Sequence, residues 1–276
     1  MTNGAVAAPL PAPRAHRSTR SDGRLGATAR VLLPVGTTIL ALLIWQLLVT
    51  LTRTQVFPLP AEVLRGIGEL LRKGVLWSYI GDSLRRVAVG YAAAALLGIA
   101  LGVPLGRSAT LERLVNPLIQ VLRPISPLAW MPLAVIWFGI SDLAPIFLIF
   151  LAAFFPVVVA TANAVRTIPP MFFRAAENFA LPRGALLRRV LLPAIVPRVL
   201  TGLRVALGIA WMVVVAAEML GVDSGLGYLI LDSRNAGKRY DLVIAGMLMI
   251  GVTGLVLDIG MRRLERLPAV RWGFQE

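Results

Sequence analysis

Long apolar stretches separated by short basic ones dominate this chain. Six of them are candidate membrane spans: about Val31–Thr52, Val87–Gly106, Leu128–Ile140, Leu143–Val165, Val199–Gly221 and Leu242–Met261. A helix needs ~20 apolar residues to cross ~30 Å of hydrocarbon, and most of these stretches reach or approach that length. The third is only 13 residues long and contains Pro132, with Pro124 and Pro127 in a non-helical approach to it. A broken helix survives at membrane depth only where protein buries it or it lines a wet cavity. The pattern therefore predicts an all-α, polytopic membrane helix bundle with about six transmembrane helices. Between the first two spans, Pro58–Asp82 differs in kind. Val63, Ile67, Leu70 and Leu71 recur at helical spacing, with Glu62, Arg65, Glu69, Arg72 and Lys73 elsewhere around the helix. This predicts an amphipathic helix on the outer surface. Gly98, Gly102 and Gly106 recur every four residues, a spacing that favours close helix packing.

Composition sharpens the class. The 276 residues are 57% hydrophobic and 15% charged, with a mean hydropathy of +0.77. Soluble domains average about 45–50% apolar and about 25% charged, so an ordinary soluble enzyme is excluded. The net charge is +14, and only Lys73 and Lys238 are lysines. Arginine clusters between apolar spans are what the positive-inside rule produces, so no nucleic-acid partner is expected. With the N-terminus placed inside, the inner segments hold 18 basic residues and the outer ones 9, Arg204 lying within a span. Both termini are thus expected in the cytoplasm. Residues 1–30 are rich in Pro and Arg and read as a disordered cytoplasmic tail. The apolar stretch after them is too long for a secretory signal. Residues 31–276 then form the transmembrane domain.

Chemistry for catalysis is scarce. There is no Cys, and the one His, His16, lies in the tail. No metal centre, cofactor site or catalytic residue is expected, and a membrane enzyme is disfavoured. A nucleotide-binding P-loop needs Gly-x-x-x-x-Gly-Lys-Ser/Thr. Lys73 is followed by Gly74 and Lys238 by Arg239, so neither fits. The sequence therefore holds no such nucleotide site of its own.

The informative loop is 166–198. Met171, Phe172, Ala175, Ala176 and Phe179 can share a face of a short helix, Pro182 interrupts it, and Ala185, Leu186, Val190 and Leu191 continue beyond. Pro193 and Pro197 are expected to stop or kink the chain before the fifth span. The result is a compact helical knob ringed by Arg174, Arg183, Arg188 and Arg189, suited to docking in a groove of another protein.

At this loop the chain resembles a known family. Arg174-Ala175-Ala176-Glu177, then Ala180, then Val190-Leu191-Leu192-Pro193 is similar in spacing to the coupling loop of ABC importer permeases. Arg174 stands where the general pattern has Glu, as is frequent in the sulfonate/nitrate/taurine branch. Ala180 stands where it has Gly, at a turn where Gly permits a positive φ that Ala resists. Arg123–Leu133, Ile136–Ile140, Thr201–Arg204, Ala216–Glu218, Gly225–Gly227 and Arg271–Gly273 resemble the same branch, so the likeness covers about residues 55–274. It implies a type I ABC importer permease fold. It also implies a homodimer or paired permeases, ABC ATP-binding subunits docked on each coupling loop, an extracytoplasmic binding protein and a small anion such as a sulfonate, nitrate, taurine or bicarbonate. The permease itself would be non-catalytic. The alternative class is a self-sufficient secondary transporter or channel.

Charges within the spans have two readings. Arg204 and Glu218 are 14 residues apart, about 21 Å along one helix face, too far to pair. Arg204 is expected to reach for the membrane surface. Glu218 is either beside the pathway or in a structural hydrogen bond. Asp258 is expected to be structural, paired with Arg262 one turn on. Ser126, Trp130, Met131 and Trp137 are further pathway candidates, the aromatic side chains having interfacial anchoring as their alternative.

Overall fold

The computed structural model describes residues 27–52, 56–235 and 237–266. The expected tail, apart from its last four residues, and the Arg271–Gly273 block lie outside the described residues. Two compact units are present, Met1–Leu51 and Thr52–Glu276. The described part of the first is helix α1, Ala27–Thr52, which is apolar nearly throughout and exposes most of its leucines.

The second unit is also helical: α2 Pro60–Arg72, α3 Val75–Arg107, α4 Ala109–Leu122, α5 Met131–Phe138, α6 Leu143–Arg166, α7 Pro170–Asn178, α8 Arg183–Leu186, α9 Leu192–Gly221, α10 Leu226–Asn235 and α11 Tyr240–Glu265. Helices α3 and α6 form its spine. Gly90, Gly98, Gly102 and Gly106 of α3 meet Ile149, Val157, Thr161 and Val165 of α6 in that order, with Ala94 fully buried among them. A Cβ on Gly102 would lie 2.6 Å from the Thr161 Cβ, and one on Gly98 2.8 Å from a Val157 methyl. The four-residue glycine spacing thus serves close packing, as expected.

Both residue numbers rise together along this seam, so α3 and α6 run parallel. The chain must therefore cross back between them. The return limb is α4 followed, after a turn at 123–126, by a 3₁₀ turn Pro127–Trp130 and α5, bent by 82° at the break. The short third span is thus one half of a broken crossing, and its other half, α4, lies in what the sequence presents as a loop at 107–123. Ser108 caps α4, accepting from Leu111 N at 3.2 Å. Counting this broken pair as one, six helical spans among the described residues are long and apolar enough to cross a membrane.

Helix α9 packs on α6, Gly202 admitting Ala160 without room for a Cβ. Helix α11 runs antiparallel to α9. Trp211 Nε1 donates to Ile250 O at 3.1 Å, and Arg204 Nε donates to Asp258 Oδ1 at 2.7 Å. Asp258 also accepts from Arg262, as expected. Arg204, however, is held by Asp258 and Glu265 rather than reaching freely to the surface. Arg107, Arg166, Leu192 and Glu265 consequently share one end of the unit, called here the elbow end.

The amphipathic helix is shorter than the pattern suggests. It closes at Gly74, whose φ of 71° lies in the left-handed region, and residues 75–82 belong to α3. Val63, Gly66 and Leu70 are buried. Gly66 lies against Leu242 and Asp241 of α11, so this face meets the chain itself. Arg239 clamps it, donating to Glu69 Oε2 at 2.7 Å. Hydrogen bonds from Arg239, then from Lys73, draw the Glu69 carboxyl down to about 2, so the clamp stays ionised at any physiological pH.

A second turn also has left-handed geometry. After α7, Ala180 N donates to Glu177 O at 2.9 Å and Leu181 N to Ala176 O at 3.0 Å, a Schellman closure. That closure places Ala180 at φ 48°. The non-Gly residue accepts the strain anticipated for it, about 1 kcal/mol.

Two stability measurements follow from these contacts. Gly102→Ala is expected to destabilise the purified protein by about 1–3 kcal/mol through overpacking. Gly81→Ala, at a position of the same helix with nothing within 4 Å, is expected to stay within about 0.5 kcal/mol of the parent. Ala180→Gly is expected to raise the thermal midpoint and Ala180→Val to lower it, both read by differential scanning fluorimetry.

Candidate functional site

The segment from Arg166 to Arg198 leaves α6 and returns as α9, forming an elbow. Its root is apolar. Ala164, Val165, Ile168, Leu191, Ile195 and Val199 form one buried cluster, with Phe173 of α7 packed against it. Ala176 is the other inward residue of α7, 5% exposed. Met171, Phe172 and Phe179 are exposed, Phe179 at 80%. Of the stripe Met171, Phe172, Ala175, Ala176 and Phe179 read from spacing, only Ala176 is buried, beside Phe173.

The returning limb is continuous. Pro193 and Pro197 do not end it. Leu187–Leu191 forms a π-helical turn in which Leu192 N donates to Leu187 O. Pro193 then occupies the first turn of α9, where no intrahelical donor is needed. Helix therefore runs from Arg183 to Gly221, with the wider turn in its middle. A π turn of this kind often marks a functional site.

One contact ties the elbow to α3 and another ties its root to α4. The Arg107 guanidinium at the end of α3 lies over the Phe173 ring, 5.4 Å from its centre. Arg166 pairs with Glu112 of α4 at 2.8 Å. Beside them a cavity of ≈ 430 Å³ is lined by Arg107, Phe173, Glu177 and Leu186, among others. Neither Arg107 nor Phe173 stands out in the sequence, because a cation over a ring has no spacing signature.

The loop-motif residues divide by position. Arg174, Ala175, Glu177, Ala180, Leu192 and Pro193 are exposed, Val190 is half-buried and Ala176 is buried. Arg174, Arg188 and Arg189 make no ion pair among the described residues. The elbow thus offers an apolar tip within a ring of unneutralised arginines, on a root packed into the bundle.

The pathway candidates do not converge on one surface. Ser126 is exposed at the turn of the broken span. Trp130 is half-buried, and Met131 is 7% exposed, packed with Ala144, Leu148, Val213 and Ala217. Trp137 is exposed at the end of α5, against Phe147 at 5.8 Å between ring centres. Glu218 has no exposed surface.

Glu218 belongs to a polar hub at the end opposite the elbow. Arg86 Nη1 donates to Glu218 Oε1 and to Ser224 O, both at 2.8 Å. Arg86 Nη2 donates to Asp142 Oδ1 and Ser224 Oγ, both at 2.6 Å. Arg85 also pairs with Asp142. Ser83 Oγ donates to Glu218 Oε2 at 2.9 Å and accepts from Leu226 N, while Gly227 N donates to the same carboxylate. Of the two readings of Glu218, the hydrogen-bonded one describes its surroundings. Its partner Arg86 was not singled out, since it and Ser83 are remote from Glu218 in sequence.

Comparison with known proteins connects this geometry to a family. Residues 94–269 match the family described as "Binding-protein-dependent transport system inner membrane component". The taurine transport system permease protein TauC of Escherichia coli K12 is 34% identical over 258 residues, 90% of this chain and 93% of that one. The nitrate import permease protein NrtB of Leptolyngbya laminosa is 37% identical over 267 residues, 92% of this chain and 94% of that one. Among solved structures, a chain from inward-facing conformations of the MetNI methionine ABC transporter superposes with a TM-score of 0.62 at 18% identity, covering 70% of this chain and 95% of that one. The parallel spine, broken return span and elbow thus form a type I ABC importer permease fold. The family match spans α4 through α11, so this chain belongs to the binding-protein-dependent inner-membrane permeases of ABC importers.

Proposed function

We propose that this multi-pass chain forms the passage of an ATP-driven importer for a small anion, of the sulfonate, nitrate, taurine or bicarbonate type, and takes its power from separate ATP-binding subunits through the elbow. One observation carries this reading. The elbow combines exposed apolar residues at its tip with a root packed into the spine, the arrangement a helix-in-groove lever needs. Arg174, Ala175, Glu177 and Ala180 on the α7 side, with Val190, Leu192 and Pro193 on the returning limb, would form the docking surface and its support. ATP and Mg would be held by the partner subunit. A second copy would complete the passage, and an extracytoplasmic binding protein would deliver substrate to the end carrying Arg86. Relatives named for taurine and nitrate support the anion class. The abundance of arginines at the elbow end supports placing that end, and both termini, in the cytoplasm.

Force has a route inward. A docked ATPase that prefers one position of the elbow shifts the bundle only by the difference in its contacts between states. Arg107 over Phe173 and the apolar root would carry that difference to α3, α6 and α9. Glu177, beside the same cavity, would be where the docking face meets this joint.

Two outcomes are expected. The chain should co-purify with the ATPase from its own operon and support ATP-dependent anion uptake in vesicles. Flux without any ATPase would favour a self-sufficient transporter instead. Arg107→Ala should leave the ATPase bound and hydrolysing ATP while uptake falls at least several-fold, a loss of about 1 kcal/mol of coupling from one cation–π contact. Arg107→Lys should recover most of the uptake, and equal loss of hydrolysis and uptake would contradict the joint.

A further inference from the structure

A second cavity at the elbow end, ≈ 500 Å³, lies between the end of α6, the start of α7 and the first turns of α9. It is separate from the Arg107–Phe173 joint. Its lining includes the apolar Ile168, Ala194 and Phe172 together with Arg189 and Arg198. Among the described residues no carboxylate lines it. Both arginines are exposed, and neither makes a hydrogen bond or ion pair among the described residues. The lining Thr167 hydroxyl donates to Ala164 O at 2.9 Å, so its proton is already used.

The walls are held in place. Pro169, Pro193 and Pro197 all line the cavity, each with its φ restricted by its ring. The π-helical turn carries Arg189, and Arg198 follows two turns into α9. Depth also matters. Arg198 precedes Gly221 by 23 residues (221 − 198), about 35 Å of helix, slightly more than the ~30 Å hydrocarbon thickness. With Gly221 at one membrane face, Arg198 sits at headgroup level on the other.

We propose that this cavity binds a phosphate group, with Arg189 and Arg198 as its donors, and that its natural source is the headgroup of an anionic phospholipid in the leaflet facing the ATPase. Apolar residues lining the same cavity as two unneutralised guanidinium groups match a phosphodiester with its glycerol and upper acyl carbons. Basic pockets among spans on the cytoplasmic side bind anionic headgroups by this logic. Guanidinium takes phosphate bidentately, which a lysine cannot do. Occupancy would brace α7 against α9 at the elbow root and so tune coupling. The side of the membrane and the effect on coupling rest on the function proposed above; the binding itself does not.

The test has two arms. Native mass spectrometry of the permease alone, extracted from phosphatidylglycerol-containing membranes, should show retained phosphatidylglycerol. Arg189→Gln/Arg198→Gln should lower retention about 30-fold, at about tenfold or less for each arginine. Arg189→Lys/Arg198→Lys, which keeps the charge, should fall between the two, and its normal melting temperature would show that folding is intact. In the second arm, the complex with its ATPase is placed in phosphatidylcholine vesicles with and without phosphatidylglycerol, or with inorganic phosphate alone. Activation of uptake by phosphatidylglycerol in wild type but not in the Gln pair assigns the lipid source; activation by inorganic phosphate alone assigns a free anion instead. Equal lipid retention by wild type and the Gln pair would overturn the site. So would loss of ATPase co-purification with lipid retention unchanged, which would make the arginines part of the docking surface. Failure of uptake in wild type, with retention as expected, would count against the proposed function and leave the site standing.

Discussion

Two helices running the same way, at a separation only glycine permits, determine most of this structure. Along the α3–α6 seam a Cβ on Gly90, Gly98, Gly102 or Gly106 would collide with a backbone oxygen or branched side chain of α6. Because the helices are parallel, the chain needs a return crossing between them, which becomes the broken α4–α5 limb. In lipid no hydrophobic force draws apolar helices together, so close van der Waals contact of this kind has to supply the association. The same seam brings the ends of α3 and α6 together at the elbow. There Gly106 meets Val165 and Arg107 reaches Phe173. The elbow is thus rooted at one end of the close-packed seam.

The two ends of the unit are built differently. At the elbow end the root is an apolar cluster with exposed arginines around it, and the tip carries bare aromatic and aliphatic side chains. At the other end Arg86 is saturated by Asp142, Glu218 and Ser224, gathering the starts of α3 and α6, the end of α9 and the approach to α10. Removing one member of a buried ion pair leaves the other uncompensated, at a cost of about 3–5 kcal/mol. The hub therefore resists rearrangement. One end thus leaves apolar and cationic side chains exposed, while the other is a saturated polar lock.

Much of this was legible in the sequence, for identifiable reasons. Long apolar runs have no soluble explanation, so the helical membrane class follows from composition. The glycine spacing was readable because its physical use is local. The elbow was readable because its motif fixes the spacing of a helix, a turn and a second helix, and Ala180 at φ 48° shows the turn geometry kept even without Gly. What escaped depends on tertiary contact. Helix α4 was hidden by Pro117 and by the basic residues around it. The continuity of the returning limb was hidden by Pro193, which a first-turn position after the π turn accommodates, and by Pro197, which lies inside α9. Arg86 and Phe173 acquire their roles only from partners 132 and 66 residues away, Glu218 and Arg107 (218 − 86 and 173 − 107).

A lever moved by a separate ATP-hydrolysing subunit must change position when that subunit binds ATP. The chain has no native cysteine, so a spin label at Phe179→Cys would report from the tip without background. The most direct measurement is the distance between the two labelled tips in the reconstituted complex, by pulsed electron resonance, before and after ATP binding. The account requires the tips to approach as the ATPase subunits close, and the distance between labels at positions 179 and 109 of one chain to stay constant. An unchanged tip-to-tip distance while ATP-driven uptake proceeds would contradict it.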